Sequence, residues 1–209
     1  NKKNVGLIGT LNRGLHESRG EFIARMDQDD ISIKDRFEKQ IKFFEKNKNY
    51  DFDFGNINCF NDKTQKSYIW EIGSKVKTFS EIKSSLTISN CLAHPTVMGR
   101  SKIYKKYGYN QGLLNGEDWD LWLRLTSDKI KLGKVNDIIL NYRIHDNSMC
   151  HFSQKIPINQ RVNIKKTFIL NQLKKKKITL FELNIIKNLI KEYCNDKLKG
   201  VYNRYYKYI

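Results

Sequence analysis

At 209 residues, 39% hydrophobic and 12% aromatic, the chain can bury a core, and its length fits one domain or one domain plus an appendage. No run of about 18 apolar residues and no charged-then-apolar leader is present, so neither a membrane-spanning helix nor a signal peptide is expected. The formal charge of +17 invites a phosphate-bearing partner, but the excess is steepest after about residue 155 and the segment to Asp62 is near balance, which argues against a nucleic-acid surface.

From Asn4 to Ser18, Val5, Ile8, Leu11 and Leu15 recur at helical spacing, with Gly20 placed to stop the helix. Glu21 to Asp27 reads as extended, apolar at Phe22, Ile23, Ala24 and Met26, as in a strand covered on both faces of a parallel or mixed sheet. It runs into ARMDQDDIS (24–32), which sets Asp27, Asp29 and Asp30 within four positions. Three like charges repel unless a cation sits among them, and in α/β sheets ligands bind beyond the carboxyl ends of strands. The loop therefore reads as a metal or nucleotide site rather than a plain turn. Ser32 and Asp35 form an S-x-x-D capping pattern before a helix striped by Ile33, Phe37, Ile41 and Phe44.

YDFDFGNINCF (50–60) reads as a second strand, expected near the sheet edge. LLNGEDWDLWLRL (113–125) reads as a largely buried helix, with Trp119, Trp122 and Leu123 on one face and Leu121 and Leu125 on another. Glu117 and Asp118 lie in its first turn. Asn115 with Asp118 would make an ordinary capping box there, and acids near a helix N-terminus are favoured by its dipole. A third strand-like run (135–144) ends in NYRIHDNS, where the Arg143 guanidinium suits phosphate oxygens and His145 can donate a hydrogen bond or ligate a metal. After residue 155, FILNQL and FELNIIKNLIKEY read as amphipathic helices with lysine-rich outer faces, and VYNRYYKYI mixes aromatic and basic residues. Such a tail suits docking on the domain, and alternatively an anionic headgroup interface. Cys59, Cys91, Cys150 and Cys194 lie far apart without a C-x-x-C pair, against structural zinc or a disulfide framework and in keeping with a reducing, cytoplasmic setting.

Taken in order, ESRGEFIARMDQDDISIKDRFEKQ, HPTVMGRS, GEDWDLWLRL and YRIHDNSM resemble the landmarks of family 2 glycosyltransferases over roughly residues 4 to 150. The first resembles the segment carrying the D-x-D motif, with Lys34 where the family usually has proline. The resemblance implies an α/β, Rossmann-like GT-A fold, a mixed sheet with flanking helices over residues 1–154; the basic helical C-terminal extension over 155–209 falls outside the match and is read from its own residues. The resemblance also implies inverting, metal-assisted transfer of a sugar from a nucleotide-sugar, by family precedent a UDP-sugar, to a hydroxyl of a glycan or lipid-linked acceptor in surface polysaccharide or lipopolysaccharide synthesis. By the same resemblance Asp29 is the main carboxylate for Mg²⁺ or Mn²⁺, Asp27 lies near the ribose and the metal, and Asp30 and Arg25 support the loop. Asp118 is the base, and Glu117 orients it or touches the acceptor. Arg143 and His145 face the diphosphate, and His94 and Asp120 lie on the acceptor side, Asp120 as the fallback base if the register is off by a turn. Trp119 offers a ring to an acceptor sugar face, but its helical spacing favours core packing.

No nucleic-acid partner is implied. Peripheral contact with the cytoplasmic face of an inner membrane is implied as an option for the basic tail. A family domain normally opens with a strand ending in a P-T-Y-N-like sequence and a second strand with an early Asp, which bind the base. Asn1 is not preceded by these, so on the order of 80 residues are expected upstream, and the chain as given is expected to grip nucleotide weakly and turn over poorly. Two other readings stay open: a catalytically inactive interaction domain on this scaffold, and a metal-dependent nucleic-acid enzyme.

Overall fold

The computed structural model describes residues 4–145 and 158–205, with side chains described to residue 195. Helix α1 (Gly6–Glu17) is followed by β1 (Phe22–Ala24), β2 (Ile31–Ser32), α2 (Arg36–Lys46), β3 (Phe52–Phe60) and β4 (Ser67–Ile69). Two short helices, α3 (Glu71–Lys75) and α4 (Phe79–Leu86), lead to a 3-10 turn at His94–Thr96 and β5 (Met98–Arg100). Helices α5 (Ser101–Tyr107) and α6 (Glu117–Ser127) precede β6 (Leu132–Arg143), and α7 (Ile158–Lys174) and α8 (Leu180–Tyr205) close the described chain.

The strands form one mixed sheet in the order β1-β5-β3-β6-β2, with β4 added to β3. β3 and β6 run parallel, and every other pairing is antiparallel. This is the expected mixed sheet with flanking helices, but the strand expected near its edge is its centre. Both faces of β3 are covered: on one, Phe52 and Phe54 are fully buried and meet Tyr104 and Trp122 edge-on, with ring centres 5.0 and 4.8 Å apart, and on the other Asp53 is fully buried. Its register against β6 shifts around Gly55, where a Cβ would overlap Ile139. The strand expected to be buried on both faces is instead the three-residue edge strand β1, and Met26 beyond it is 44% exposed.

Helix α1 buries Leu15 and half-buries Ile8 and Leu11, as its spacing predicts, and ends at Ser18 before Gly20. Helix α2 departs from expectation. It starts at Arg36 with no side-chain cap, because Ser32 belongs to β2, and Phe37 points outward at 59% exposure. Its inward face is Arg36, Gln40 and Phe44. The polar pair is satisfied: Arg36 Nε donates to Gln40 Oε1 (3.0 Å), and Gln40 Nε2 donates to Asp53 Oδ1 (2.7 Å) and to the Thr96 carbonyl (2.9 Å).

Helix α6 is buried nearly all round, Leu121 and Leu125 as fully as Trp119 and Trp122. Its N-cap is Gly116 at φ +70°, with no side-chain cap, so the Asn115–Asp118 capping box does not form. The lysine-rich tail docks on the domain: one apolar cluster joins Ile164, Phe168 and Ile169 of α7 and Phe181 and Ile185 of α8 to Trp119, Leu86 and Phe54, across the 154/155 division. The expected aromatic-basic end lies outside the described side chains, and Cys150 lies outside the described residues. Cys59, Cys91 and Cys194 are free thiols. Among the described residues no helix is long and apolar enough to cross a membrane.

Candidate active site

The acidic loop hangs between β1 and β2, and each of its carboxylates meets a different partner. Asp27 is gripped from both oxygens by Arg25, at 2.5 and 2.7 Å. The backbone of Arg25 is itself anchored, its N–H to the Val97 carbonyl (3.0 Å) and its carbonyl to buried Arg36 (2.8 Å). Asp29 Oδ2 sits 2.8 Å from His145 Nε2, a contact across 116 residues of sequence that β2–β6 pairing makes possible. That hydrogen bond is the largest influence holding the Asp29 carboxyl below its ordinary value.

Asp30 turns inward and is 7% exposed. Its Oδ1 accepts the Arg143 N–H (3.0 Å), while its buried Oδ2 has no partner among the described residues. Burial, reinforced by Asp27 and Asp29, pushes its pKa up to about 6. The Arg143 side chain spans this loop: Nε donates to the Asp29 carbonyl (2.8 Å), the guanidinium lies 4.8 Å from the Phe60 ring centre, and Nη1 pairs with exposed Asp62.

The second acidic centre is the start of α6. Asp118 is half-buried, accepting the Asn90 amide at Oδ2 (2.7 Å) and the Trp119 N–H at Oδ1 (2.7 Å). Burial and then the neighbouring charge of Glu117 push its pKa up. Glu117 is 8% exposed, with Oε1 3.8 Å from His94 Nδ1. His94 donates to or accepts from the Tyr109 hydroxyl (2.7 Å), which in turn bonds the Tyr104 hydroxyl. Burial, then the Arg25 charge, holds this imidazole neutral, well below its ordinary pKa.

Arg25 joins the two centres electrostatically. Paired with Asp27, it also favours the ionised form of Asp30 and of Asp118 and disfavours that of His94. The expected set thus divides in three. Asp29, Asp30, Arg143 and His145 meet at one loop; Asp118, Glu117 and His94 meet at another; Arg25 with Asp27 lies between them. Asp120 and Trp119 join neither group. Both are fully buried, Asp120 accepting from Arg124 Nε (2.8 Å) and Trp119 donating its indole N–H to the Leu86 carbonyl (3.0 Å), so neither offers a face to an acceptor. Asn90, whose amide donates to Asp118, is a residue of this candidate site that sequence reading misses, because a lone Asn 28 positions upstream carries no spacing signal.

Among the described residues no group of three or more His, Cys, Asp or Glu side chains is placed to hold a metal ion. Asp29 and His145 nevertheless present two donors at one point. Such a pair fits a hard divalent ion that takes its remaining ligands from substrate phosphates and water, rather than from an all-protein cage. Asp27, expected to share the metal, is committed to Arg25.

Residues 1–108 match the family Glycosyl transferase family 2. The uncharacterized glycosyltransferase MJ1057 of Methanocaldococcus jannaschii is 31% identical over 69% of this chain and 49% of its own length. The O-antigen biosynthesis glycosyltransferase WbnJ of Escherichia coli is 36% identical over 66% of this chain and 53% of its own length. The chain therefore spans about half the length of these curated relatives. The crystal structure of S. aureus TarS 1–349 in complex with UDP superposes with a TM-score of 0.56 at 15% identity, over 87% of this chain and 48% of that one, a likeness of fold.

Proposed function

The chain belongs to glycosyl transferase family 2 and has the GT-A fold, and on that premise we propose that it moves a sugar from a nucleotide-diphosphate donor to an acceptor hydroxyl with inversion, in the building of a surface polysaccharide. The observation that carries this reading is a pair of acidic centres with different partners. Asp29 Oδ2 lies 2.8 Å from His145 Nε2, which holds its carboxyl low, while Asp118 is aimed by the Asn90 amide at 2.7 Å and its pKa is pushed up by burial and then Glu117. Carboxylates pushed apart in this way divide the labour of binding charge and moving a proton.

In the proposed reaction the acceptor oxygen attacks the anomeric carbon as the bond from that carbon to the diphosphate oxygen breaks. Asp118 takes the hydroxyl proton as the new bond forms, and a carboxylate with a raised pKa is better matched to that task than an ordinary aspartate. Glu117, buried beside His94, is the neighbour whose charge acts with burial to push the Asp118 pKa up, while Arg25 is held by Asp27. Arg143 can exchange its exposed partner Asp62 for diphosphate oxygens, since surface ion pairs of this kind are weak. Asp29 and His145 are the residues that would hold Mg²⁺ or Mn²⁺, which when bound offsets the negative charge on the leaving diphosphate. A UDP-sugar is the donor this reading favours, supported by the UDP held in the TarS structure, and a glycan or lipid-linked sugar is the acceptor, supported by the O-antigen relative.

Titration of the protein with UDP and GDP, with and without Mn²⁺, tests the reading. Nucleoside-diphosphate binding that needs the metal supports it. Binding to DNA or RNA that fades with salt, in place of nucleotide binding, would refute it.

A further inference from the structure

Helix α7 packs along α6, whose first turn carries Glu117 and Asp118, and α8 packs on α7. Ile164 of α7 packs against Gly116, Lys165 Nζ lies 5.5 Å from the Trp119 ring centre, and Lys177, between α7 and α8, pairs with Asp128 just beyond the end of α6. These contacts hold the helix that bears the acids. A separate contact reaches the partner of Asp118 itself. Asn188 of α8 donates through Nδ2 to Thr87 Oγ1 at 2.9 Å, linking positions 101 residues apart. Thr87 closes α4, with its N–H (3.2 Å) and its hydroxyl (2.7 Å) both donating to the Ser84 carbonyl. The chain then turns through Ser89, whose N–H bonds the Ser85 carbonyl (3.0 Å), and presents Asn90, whose amide donates to Asp118 Oδ2. Leu86, one residue before Thr87, takes the Trp119 indole N–H, so α6 and α8 grip the same turn.

We propose that Asn188 is a positioning residue for Asp118, holding the turn from Thr87 to Asn90 so that the Asn90 amide stays aimed at the carboxylate that accepts the proton. The inference rests on the reading of Asp118 as the base. Asn90 is already fixed at its other end, where Oδ1 accepts the Leu92 N–H (3.1 Å), so any movement of the turn acts on the Nδ2–Asp118 bond. A group that must meet a hydroxyl in one geometry loses effectiveness when its support loosens by a fraction of an ångström. Asn188 itself is only half-buried and sits outside the apolar cluster, so removing its amide does not open the core.

The loss should be legible in the ionisation of Asp118. Besides burial, the groups acting on it are Glu117 and the Trp119 N–H on its own helix, Arg25 from the loop after β1, Tyr104 of α5, Tyr109 beyond α5, and Asn90. Of these, Asn90 supplies the hydrogen bond that Asn188 is placed to maintain. When that bond weakens, the ionised carboxylate is less favoured and the ionisation midpoint rises.

The test follows the Asp118 carboxyl by carbon-13 NMR across a pH titration, its signal assigned by its loss in Asp118→Asn, together with nucleoside-diphosphate release from a panel of UDP-sugars and GDP-mannose. Asn188→Ala should lower the Asp118 ionisation constant about threefold and kcat about tenfold, with the donor KM changed less than about twofold. Asn90→Ala should move both further in the same direction, and Asn90→Ala/Asn188→Ala should match Asn90→Ala alone. Thr87→Ser keeps the accepting hydroxyl and should behave as the unaltered protein, whereas Thr87→Val, which loses the Asn188 contact and the hydroxyl's bond to the Ser84 carbonyl together, should move both readouts in the same direction as Asn188→Ala. An unchanged Asp118 midpoint in Asn188→Ala, or effects that add in full to those of Asn90→Ala, overturns the positioning role. Turnover retained by Asp118→Asn would instead overturn the base reading on which the inference rests.

Discussion

Gly116→Ala is the substitution for which the fold gives the clearest number. Gly116 holds φ +70° at the N-cap of α6, one residue before Glu117 and Asp118, and a non-glycine residue in that region costs about 1–2 kcal/mol. The added Cβ would also overlap Ile164 Cδ1 and come within 2.9 Å of its Cγ1, and overpacking of a filled core costs about 1–3 kcal/mol. The sum is about 2–5 kcal/mol, or a fall in Tm of about 4–20 °C for a chain of this size. Urea unfolding of Gly116→Ala, Ile164→Ala and the double variant separates the two parts. The steric share should appear as a coupling of about 1–3 kcal/mol, relieved when Ile164 is shortened. Stability within about 0.5 kcal/mol of the unaltered protein, or zero coupling, would refute the account of how α7 seats the acid-bearing helix.

Asp118 accepts a proton only when ionised, and its pKa is raised to about 7, so kcat should climb as pH rises through about 7 and level off above; an acid limb near 4, the ordinary aspartate value, would contradict it. Asp29→Ala and His145→Ala should each weaken Mn²⁺-dependent UDP binding by about tenfold or more in calorimetry, leaving any metal-free binding unchanged, and an undiminished Mn²⁺ effect would count against the pair. Lys165 is fully buried and pairs with Glu192 at 2.9 Å, so Lys165→Met should destabilise by about 3 kcal/mol in urea unfolding by leaving the carboxylate only its 3.6 Å contact with Arg161, and adding Glu192→Leu should restore part of the loss.

The parts of this site legible in the sequence are those set by local chemistry. The crowded acids after an apolar run, the apolar density of α6 and the paired Arg143 and His145 at the end of β6 are all visible within windows of about a dozen residues. What was not legible depends on distant partners. The parallel pairing with β6 puts β3 at the centre of the sheet, which its own residues do not announce. The inward face of α2 is polar because Asp53 and Thr96 come to meet Gln40 from other elements, and Phe37 is thereby turned out. Helix α6 is capped by a glycine whose space is taken by Ile164, so the Asn115 pattern misleads. Asp27, Asp29 and Asp30 look equivalent in sequence, and the fold alone gives one to Arg25, one to His145 and one to the backbone of Arg143.

The central claim is that one acidic centre binds and the other moves the proton, and Asp118→Asn tests it most directly. The substitution keeps the shape and size of the side chain at the start of α6 while removing its ability to take a proton. Nucleoside-diphosphate release from the best donor of the panel and Mn²⁺-dependent UDP affinity should be measured on the same preparation. The account predicts release falling by about a thousandfold or more with UDP affinity within about threefold of the unaltered protein. Release within about tenfold of the unaltered rate, with affinity intact, would contradict it.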